Sequence, residues 1–284
     1  VDEARCSVAS QQVGEPLAGT AVESVDRWLL LEVTDTWAPK AIQTEALPAN
    51  AREALARWLE TPRTRLQLIR RPGRSGKRPL FMVVSASNAE HRVAKVELDA
   101  LDDLQAVELG ALPEESCPPI CLVCVHGRRD RCCAQHGSAV YRAIQTQDVD
   151  VWQTSHLGGH RFAACALWLP DGLMYGRLRA EHALAFVSAN RAGEVGDLDR
   201  FRGRCAYDRP TQAAEIFVRR RLGIQATDAL SWLSTDREGD SIWEARFDTS
   251  SGAHLARVTL EPMPTDRPAS CSGPPEPVSR FVEL

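Results

Sequence analysis

Ile120-Cys-Leu-Val-Cys-Val-His-Gly-Arg-Arg-Asp-Arg-Cys-Cys133 carries an apolar run into a charged loop and then into a helix start. The run from Ile120 to Val125 is short enough for a buried strand, and Gly127 to Arg131 reads as the loop. From Cys133 or Ala134 to Gln147 the residues suit a helix with Val140 and Ile144 on one face. Val149 to Ser155 then reads as a strand, followed by Ser155-His-Leu-Gly-Gly-His160. Phe162 to Leu169 and Leu173 to Leu178 flank Pro170-Asp-Gly172, a hairpin signal, and Ala180 to Asn190 suits a closing helix.

That order, β-α-β-loop-β-β-α, is the order of a thioredoxin-like lobe. Upstream, Arg27 to Val33 predicts a strand, Asn50 to Glu60 a helix, and Arg65 to Arg70 and Pro79 to Ser85 two strands, with Pro72-Gly-Arg-Ser-Gly76 as a hairpin between them. Ala94 to Leu98 adds another strand. A degenerate copy of the thioredoxin-like lobe accounts for this β-α-β-β order. Past Gly203, Asp208 and Pro210 mark a helix start, Gly223 marks its stop, and two strands flank Thr249-Ser-Ser-Gly252. Met263 to Pro277 is proline-rich and expected to be extended and exposed, Cys271 with it. The expected class is α/β: residues 1–113 an N-terminal lobe, 114–204 a thioredoxin-like lobe, and 205–284 a small α+β extension.

At 284 residues with 44% hydrophobic content, the chain can bury a sizeable core. Acidic residues (38) slightly exceed basic ones (34), so nothing global favours nucleic acid or an anionic membrane surface. The longest apolar run is too short to span a bilayer, and Val1-Asp-Glu-Ala-Arg5 does not read as a secretory signal, so a cytoplasmic location is expected. Nine cysteines are an odd number, and Cys117, Cys121, Cys124, Cys132 and Cys133 crowd together with His126, His136, His156 and His160. Such crowding fits reduced thiols around a metal or redox site better than a disulfide scaffold.

Two thiols, Cys124 and Cys133, and two imidazoles, His156 and His160, can hold one metal centre. The glycine pair inside H-x-G-G-H permits a sharp backbone path that aims both rings at one point. Zinc is one candidate, since Cys₂His₂ is a common structural set, but its usual close cysteine pair is replaced here by a gap of eight residues. Cys124-Val-His126 and Cys133-Ala-Gln-His136 imitate Rieske fragments but stand too close together to form two separate loops. Cys132 beside Cys133 at a helix start suggests a redox-active thiol pair, although a dithiol enzyme would normally show C-x-x-C.

These residues resemble the sucrase/ferredoxin-like family, whose members carry a thioredoxin-like ferredoxin domain. The matching stretches are Cys124-x-His-Gly-x-x-Asp-x-Cys-Cys-Ala134, Ser155-His-Leu-Gly-Gly-His-Arg-Phe-Ala163 and Leu169-Pro-Asp-Gly-Leu-Met-Tyr-Gly-Arg177. Cys6-Ser-Val-Ala9, Gly14-Glu-Pro-Leu-Ala-Gly-Thr-Ala21, Arg27-Trp-Leu-Leu-Leu-Glu32, Phe201-Arg-Gly-Arg204 and Gln212-Ala-Ala-Glu215 are also similar to bacterial members. The resemblance implies a [2Fe–2S] cluster held by Cys124, Cys133, His156 and His160, with Cys132 as the alternative second sulfur. It implies a one-electron carrier rather than an enzyme, and the sucrase label is no evidence of glycosidase chemistry, because no paired catalytic carboxylates are identifiable.

With neutral imidazoles, two ferric ions, two sulfides and two thiolates sum to zero, whereas four thiolates leave two negative charges. A less negative oxidised centre accepts an electron more readily, and the ring N–H groups couple that electron to a proton. Arg128, Arg129, Arg131 and Arg161 surround the motif, either as solvated loop residues or as an attraction for an acidic redox partner.

Overall fold

The computed structural model describes residues 5–74, 77–87, 91–115 and 118–284, and Cys117 lies outside them. The first half runs α1 (Cys6–Gln12), β1 (Arg27–Glu32), α2 (Ala49–Leu59), β2 (Thr64–Arg70), β3 (Leu80–Ala86), β4 (His91–Glu97) and β5 (Glu114–Glu115). The second runs β6 (Ile120–Cys124), α3 (Arg131–Gln145), β7 (Asp150–Thr154), β8 (Ala166–Leu169), β9 (Leu173–Tyr175), α4 (Ala183–Arg191) and β10 (Phe201–Arg204). Their strands form one sheet in the order β10-β9-β8-β6-β7-β2-β1-β3-β4-β5.

Each half repeats one plan. β1 and β2 are parallel and joined through α2, as β6 and β7 are through α3, and antiparallel strands follow on the far side of β1 and of β6. The halves meet edge to edge where Ile69 and Arg70 pair with Thr154 and Gln153. A short 3-10 turn, Leu101–Ala106, packs on α2 in the first half, whereas α4 packs on α3 in the second. The hairpin expected between Arg70 and Pro79 is corrected: β1 lies between β2 and β3, because the central strand Trp28-Leu-Leu-Leu31 is apolar on both faces and takes a partner on each side. Ser75 and Gly76 of that connection lie outside the described residues. The hairpin through Pro170-Asp-Gly172 does form, joining β8 to β9.

Alternation along the strands produces two cores. Leu29, Leu31, Cys121 and Val123 face the helices, meeting Leu55, Trp58, Val140, Tyr141 and Ile144. Trp28, Leu30, Ile120, Leu122 and Cys124 face the opposite way, towards Leu17, Leu157, Phe162 and Cys165, which come from loops. Cys124 therefore belongs to the loop-covered face of the sheet. On α3, Cys133, Gly137, Val140, Tyr141 and Ile144 are buried at helical spacing, so one stripe of that helix fixes its position on the sheet.

Past β10, α5 (Arg209–Leu222) starts at Asp208, whose side chain accepts from the Thr211 N–H at 3.0 Å, and stops at Gly223 in the left-handed region (φ 68°). It packs against β10 and a four-stranded antiparallel sheet, β11 (Ser231–Glu238), β12 (Ile242–Thr249), β13 (Gly252–Pro262) and β16 (Ser279–Glu283). Between β13 and β16 a short ribbon, β14 (Arg267–Pro268) with β15 (Pro275–Glu276), closes a loop carrying Cys271. The proline-rich segment is thus not merely exposed: Arg267 is buried against Glu15, and Cys271 is half-buried against Cys6. Among the described residues, no helix is long and apolar enough to cross a membrane.

Candidate metal centre

Cys124 ends β6, and Cys133 sits in the first turn of α3. Asp130 caps that helix, its side chain accepting from the Cys132 N–H at 2.9 Å. The turn of helix that follows sends adjacent side chains in different directions, Cys133 towards Cys124 and Cys132 towards Cys6. Both cysteines lie where the helix terminus favours thiolate.

The histidines follow β7. Gly158 (φ 97°) and Gly159 (φ 69°) turn the chain through the left-handed region, and His160 opens a 3-10 turn, His160–Phe162, that delays β8 until Ala166. The expected strand from Phe162 is shortened accordingly. Two arginines from β2 and β10 pin this loop: Arg65 donates to the His156 carbonyl at 3.2 Å and Arg202 to the Gly158 carbonyl at 3.0 Å. A Cβ on Gly159 would collide with the Arg202 guanidinium, so glycine is required there for space as well as for its backbone angle.

Donor atoms of Cys124, Cys133 and His156 all lie within 4.8 Å of one another, with Cys133 Sγ 3.8 Å from His156 Nδ1. His160 is not within that radius of all three. Its ring stacks on His156 with centroids 5.1 Å apart, its Nδ1 is buried with no hydrogen-bond partner among the described residues, and its Nε2 lies 4.0 Å from Asp130 Oδ2. Burial pushes the His160 imidazole below its ordinary pKa, leaving the neutral form that a metal ligand requires. A hydrogen bond from the Cys133 thiol, helped by His156, pulls Cys124 well below the usual thiol range against the effect of burial, while Cys133 is pushed up.

Other candidates separate cleanly. His126 is buried edge-on against Trp37, with Nε2 3.4 Å from the Trp37 carbonyl, and His136 meets Ser7 at 3.3 Å, so the Rieske-like fragments do not converge. Cys165 is core: its thiol donates to the Gly159 and Phe162 carbonyls at 3.4 and 3.3 Å, and burial pushes it up to about 11. Arg161 is committed to Glu15 at 2.9 Å, while Arg128, Arg129 and Arg131 are exposed. A cleft of about 620 Å³ lined by His91, Asp171, Arg204 and Trp232 contains none of these donors.

Asp130, Arg65 and Arg202 were missed by the sequence reading. Asp130 carried a signal, an acidic residue directly before a helix. Arg65 carried none and Arg202 only its place in Phe201-Arg-Gly-Arg204, because their roles depend on strand order. Burial works to raise the Asp130 carboxyl, yet N–H groups of Cys271 and Cys132, the Cys271 thiol and His160 together hold it below its ordinary value.

Fold and donors together define a thioredoxin-like α/β protein with a thiol–imidazole cluster able to bind metal. The sucrase/ferredoxin-like family model matches residues 17–203, and the chain belongs to that family. No curated protein matches it. Among solved structures, a cysteine-to-serine variant of the thioredoxin-like [2Fe-2S] ferredoxin from Aquifex aeolicus is similar at 19% identity and TM-score 0.26, covering 29% of this chain and 96% of that one.

Proposed function

We propose that Cys124, Cys133, His156 and His160 hold a [2Fe–2S] cluster and that the protein is a one-electron carrier whose electron transfer is coupled to a proton. The observation carrying this reading is the donor set: the thiols of Cys124 and Cys133 meet His156, the His160 ring stacks on His156, and the buried Nδ1 of His160 has no hydrogen-bond partner among the described residues. A single tetrahedral ion needs all four donors within about 3.8 Å of one another. His160 stacks on His156 but lies outside the mutual 4.8 Å group of the other three donors, which suits a binuclear group better than one zinc ion. A [2Fe–2S] cluster held there supplies reversible one-electron chemistry.

The chain's own residues supply the rest. Arg65 and Arg202 fix the loop so that the rings keep their orientation, much as outer-shell partners do for metal-bound histidines. His156 and His160 are partly exposed and form the edge nearest solvent. At His160 Nε2, facing ionised Asp130, a proton can be held when the site gains negative charge and released when it loses it. Exposed Arg128, Arg129 and Arg131 suit an acidic redox partner. The free thiols at all eight described cysteines suit a reducing compartment such as the cytoplasm.

The test is anaerobic purification, with the visible spectrum, iron and acid-labile sulfide read on one sample. Bands above about 400 nm with roughly two irons and two sulfides per chain support the reading. A folded, colourless protein that takes up no iron on reconstitution sinks it, and zinc bound at His156 and His160 would replace it with a structural Cys₂His₂ site.

A further inference from the structure

A second set of donors lies beyond Cys132. Cys6 of α1, Cys132 of α3 and Cys271 of the β14–β15 loop bring their sulfurs to 3.7 Å (Cys6–Cys132), 3.6 Å (Cys6–Cys271) and 3.3 Å (Cys132–Cys271). Asp130 Oδ1 lies 3.7 Å from the Cys6 sulfur and 3.2 Å from that of Cys271. All four donors fall within 4.8 Å of one another; three are buried and Cys271 is half-buried. With zinc–sulfur bonds of about 2.3 Å and a zinc–oxygen bond of about 2.0 Å, a tetrahedron has sulfur–sulfur edges of about 3.8 Å and sulfur–oxygen edges of about 3.5 Å. The three sulfur–sulfur separations and those from Asp130 Oδ1 to Cys6 and Cys271 lie within about half an ångström of those edges.

Neither ordinary explanation covers the arrangement. A disulfide would use two sulfurs at about 2.05 Å and strand the third. Cysteines serving as small core hydrophobes have no use for a carboxylate among them, since burying a charge costs free energy unless it is compensated. Capping α3 accounts for Asp130, yet not for sulfurs arriving from positions 124 and 265 residues apart in sequence.

We propose that Cys6, Cys132, Cys271 and Asp130 form a second metal site, a structural zinc site of three thiolates and one carboxylate. It clips α1 and the β14–β15 ribbon onto the start of α3. All four positions are filled by protein, as structural rather than catalytic zinc requires, and the soft sulfurs select zinc over magnesium or calcium. The set carries four negative charges, of which zinc neutralises two. The Ser7 hydroxyl, donating to Cys132 Sγ at 3.2 Å, and the N-terminus of α3 help to stabilise the remainder. The Ser10–Glu15–Arg267 contacts tie together the same two chain ends beside the clip.

Zinc and iron should be measured together on the full chain, in the wild type, Cys271→Ser, Cys6→Ser and Cys124→Ser. About one zinc per chain is expected in the wild type and in Cys124→Ser, with loss of that zinc and retention of iron in Cys271→Ser and Cys6→Ser. Loss of iron from Cys124→Ser alone bears on the electron-carrier reading and leaves the zinc clip standing. Zinc K-edge absorption of the wild type, which needs no variant, should show a first shell of three sulfurs and one oxygen. A protein without zinc whose Cys6, Cys132 and Cys271 are freely alkylated overturns the proposal. So does a disulfide among them in the intact mass, zinc that survives both replacements, or a nitrogen-rich zinc shell.

Discussion

Gly137 is where α3 crosses the end of β6, and replacing it with alanine tests how tightly fold and site are joined. A Cβ there would lie 3.0 Å from the carbonyl carbon of Cys124 and closer still to its oxygen, with Val125 Cγ1 at 3.4 Å. Carbon atoms pack best at about 3.5–4.0 Å, so strand and helix must part by at least roughly 0.5–1 Å. The obstacle is backbone, and no flexible side chain can yield. In an open helix the same change gains about 1 kcal/mol, whereas overpacking of this kind costs up to about 3 kcal/mol. The expected balance is a loss of about 2 kcal/mol, or roughly 4–8 °C in melting temperature for a chain of this size. Because Cys133 lies one turn before Gly137, the same displacement draws its thiol away from Cys124 and His156, and metal content should fall with stability. Circular-dichroism melts and iron per chain read both effects. A Gly137→Ala protein that melts at or above the wild-type temperature with full metal content would refute the argument.

Other outcomes follow from buried charges and thiols. Glu215 accepts from Arg204 at 3.1 Å and from Arg219 at 3.0 Å, all three buried, so Glu215→Ala leaves two guanidinium groups uncompensated and should cost about 3–5 kcal/mol in urea unfolding. Little change there would mean that the arginines find other partners. Arg202→Gln should free the histidine loop and weaken metal retention by about 10–100-fold, read as the rate of iron loss to a chelator; an unchanged rate removes Arg202 from the supporting shell. Burial pushes Cys205 up to about 12, against about 8.5 for an unfolded thiol. The folded chain keeps a proton that the unfolded chain releases, so this contribution is complete below about pH 8.5 and declines as pH rises towards 12. Between about pH 9 and 11, Cys205→Ala should remove up to about 1.4 kcal/mol per pH unit from the slope of stability against pH, and parallel slopes would contradict the assignment.

The second half of the sheet was legible because its signals are local. The apolar run before Cys124, the helix stripe through Val140 and Ile144, and Pro170-Asp-Gly172 each specify an element without reference to distant residues. The hairpin misreading between β2 and β3 has the opposite cause: two strands adjacent in sequence are separated in space by β1, whose double-sided burial only the whole sheet explains. H-x-G-G-H was readable because glycine at positive φ leaves a mark in sequence, and adjacent Cys132 and Cys133 hid the fact that the two thiols serve different surroundings. Cys6 and Cys271 looked scattered, since what gathers them is the return of both chain ends to one loop.

Pulsed electron paramagnetic resonance of the dithionite-reduced protein, grown with ¹⁵N-histidine, tests the donor assignment most directly. Two directly bound imidazole nitrogens should appear, both lost or altered when His156 and His160 are replaced in turn. A reduced centre without histidine nitrogen couplings, or a signal unchanged by either replacement, would contradict the assignment.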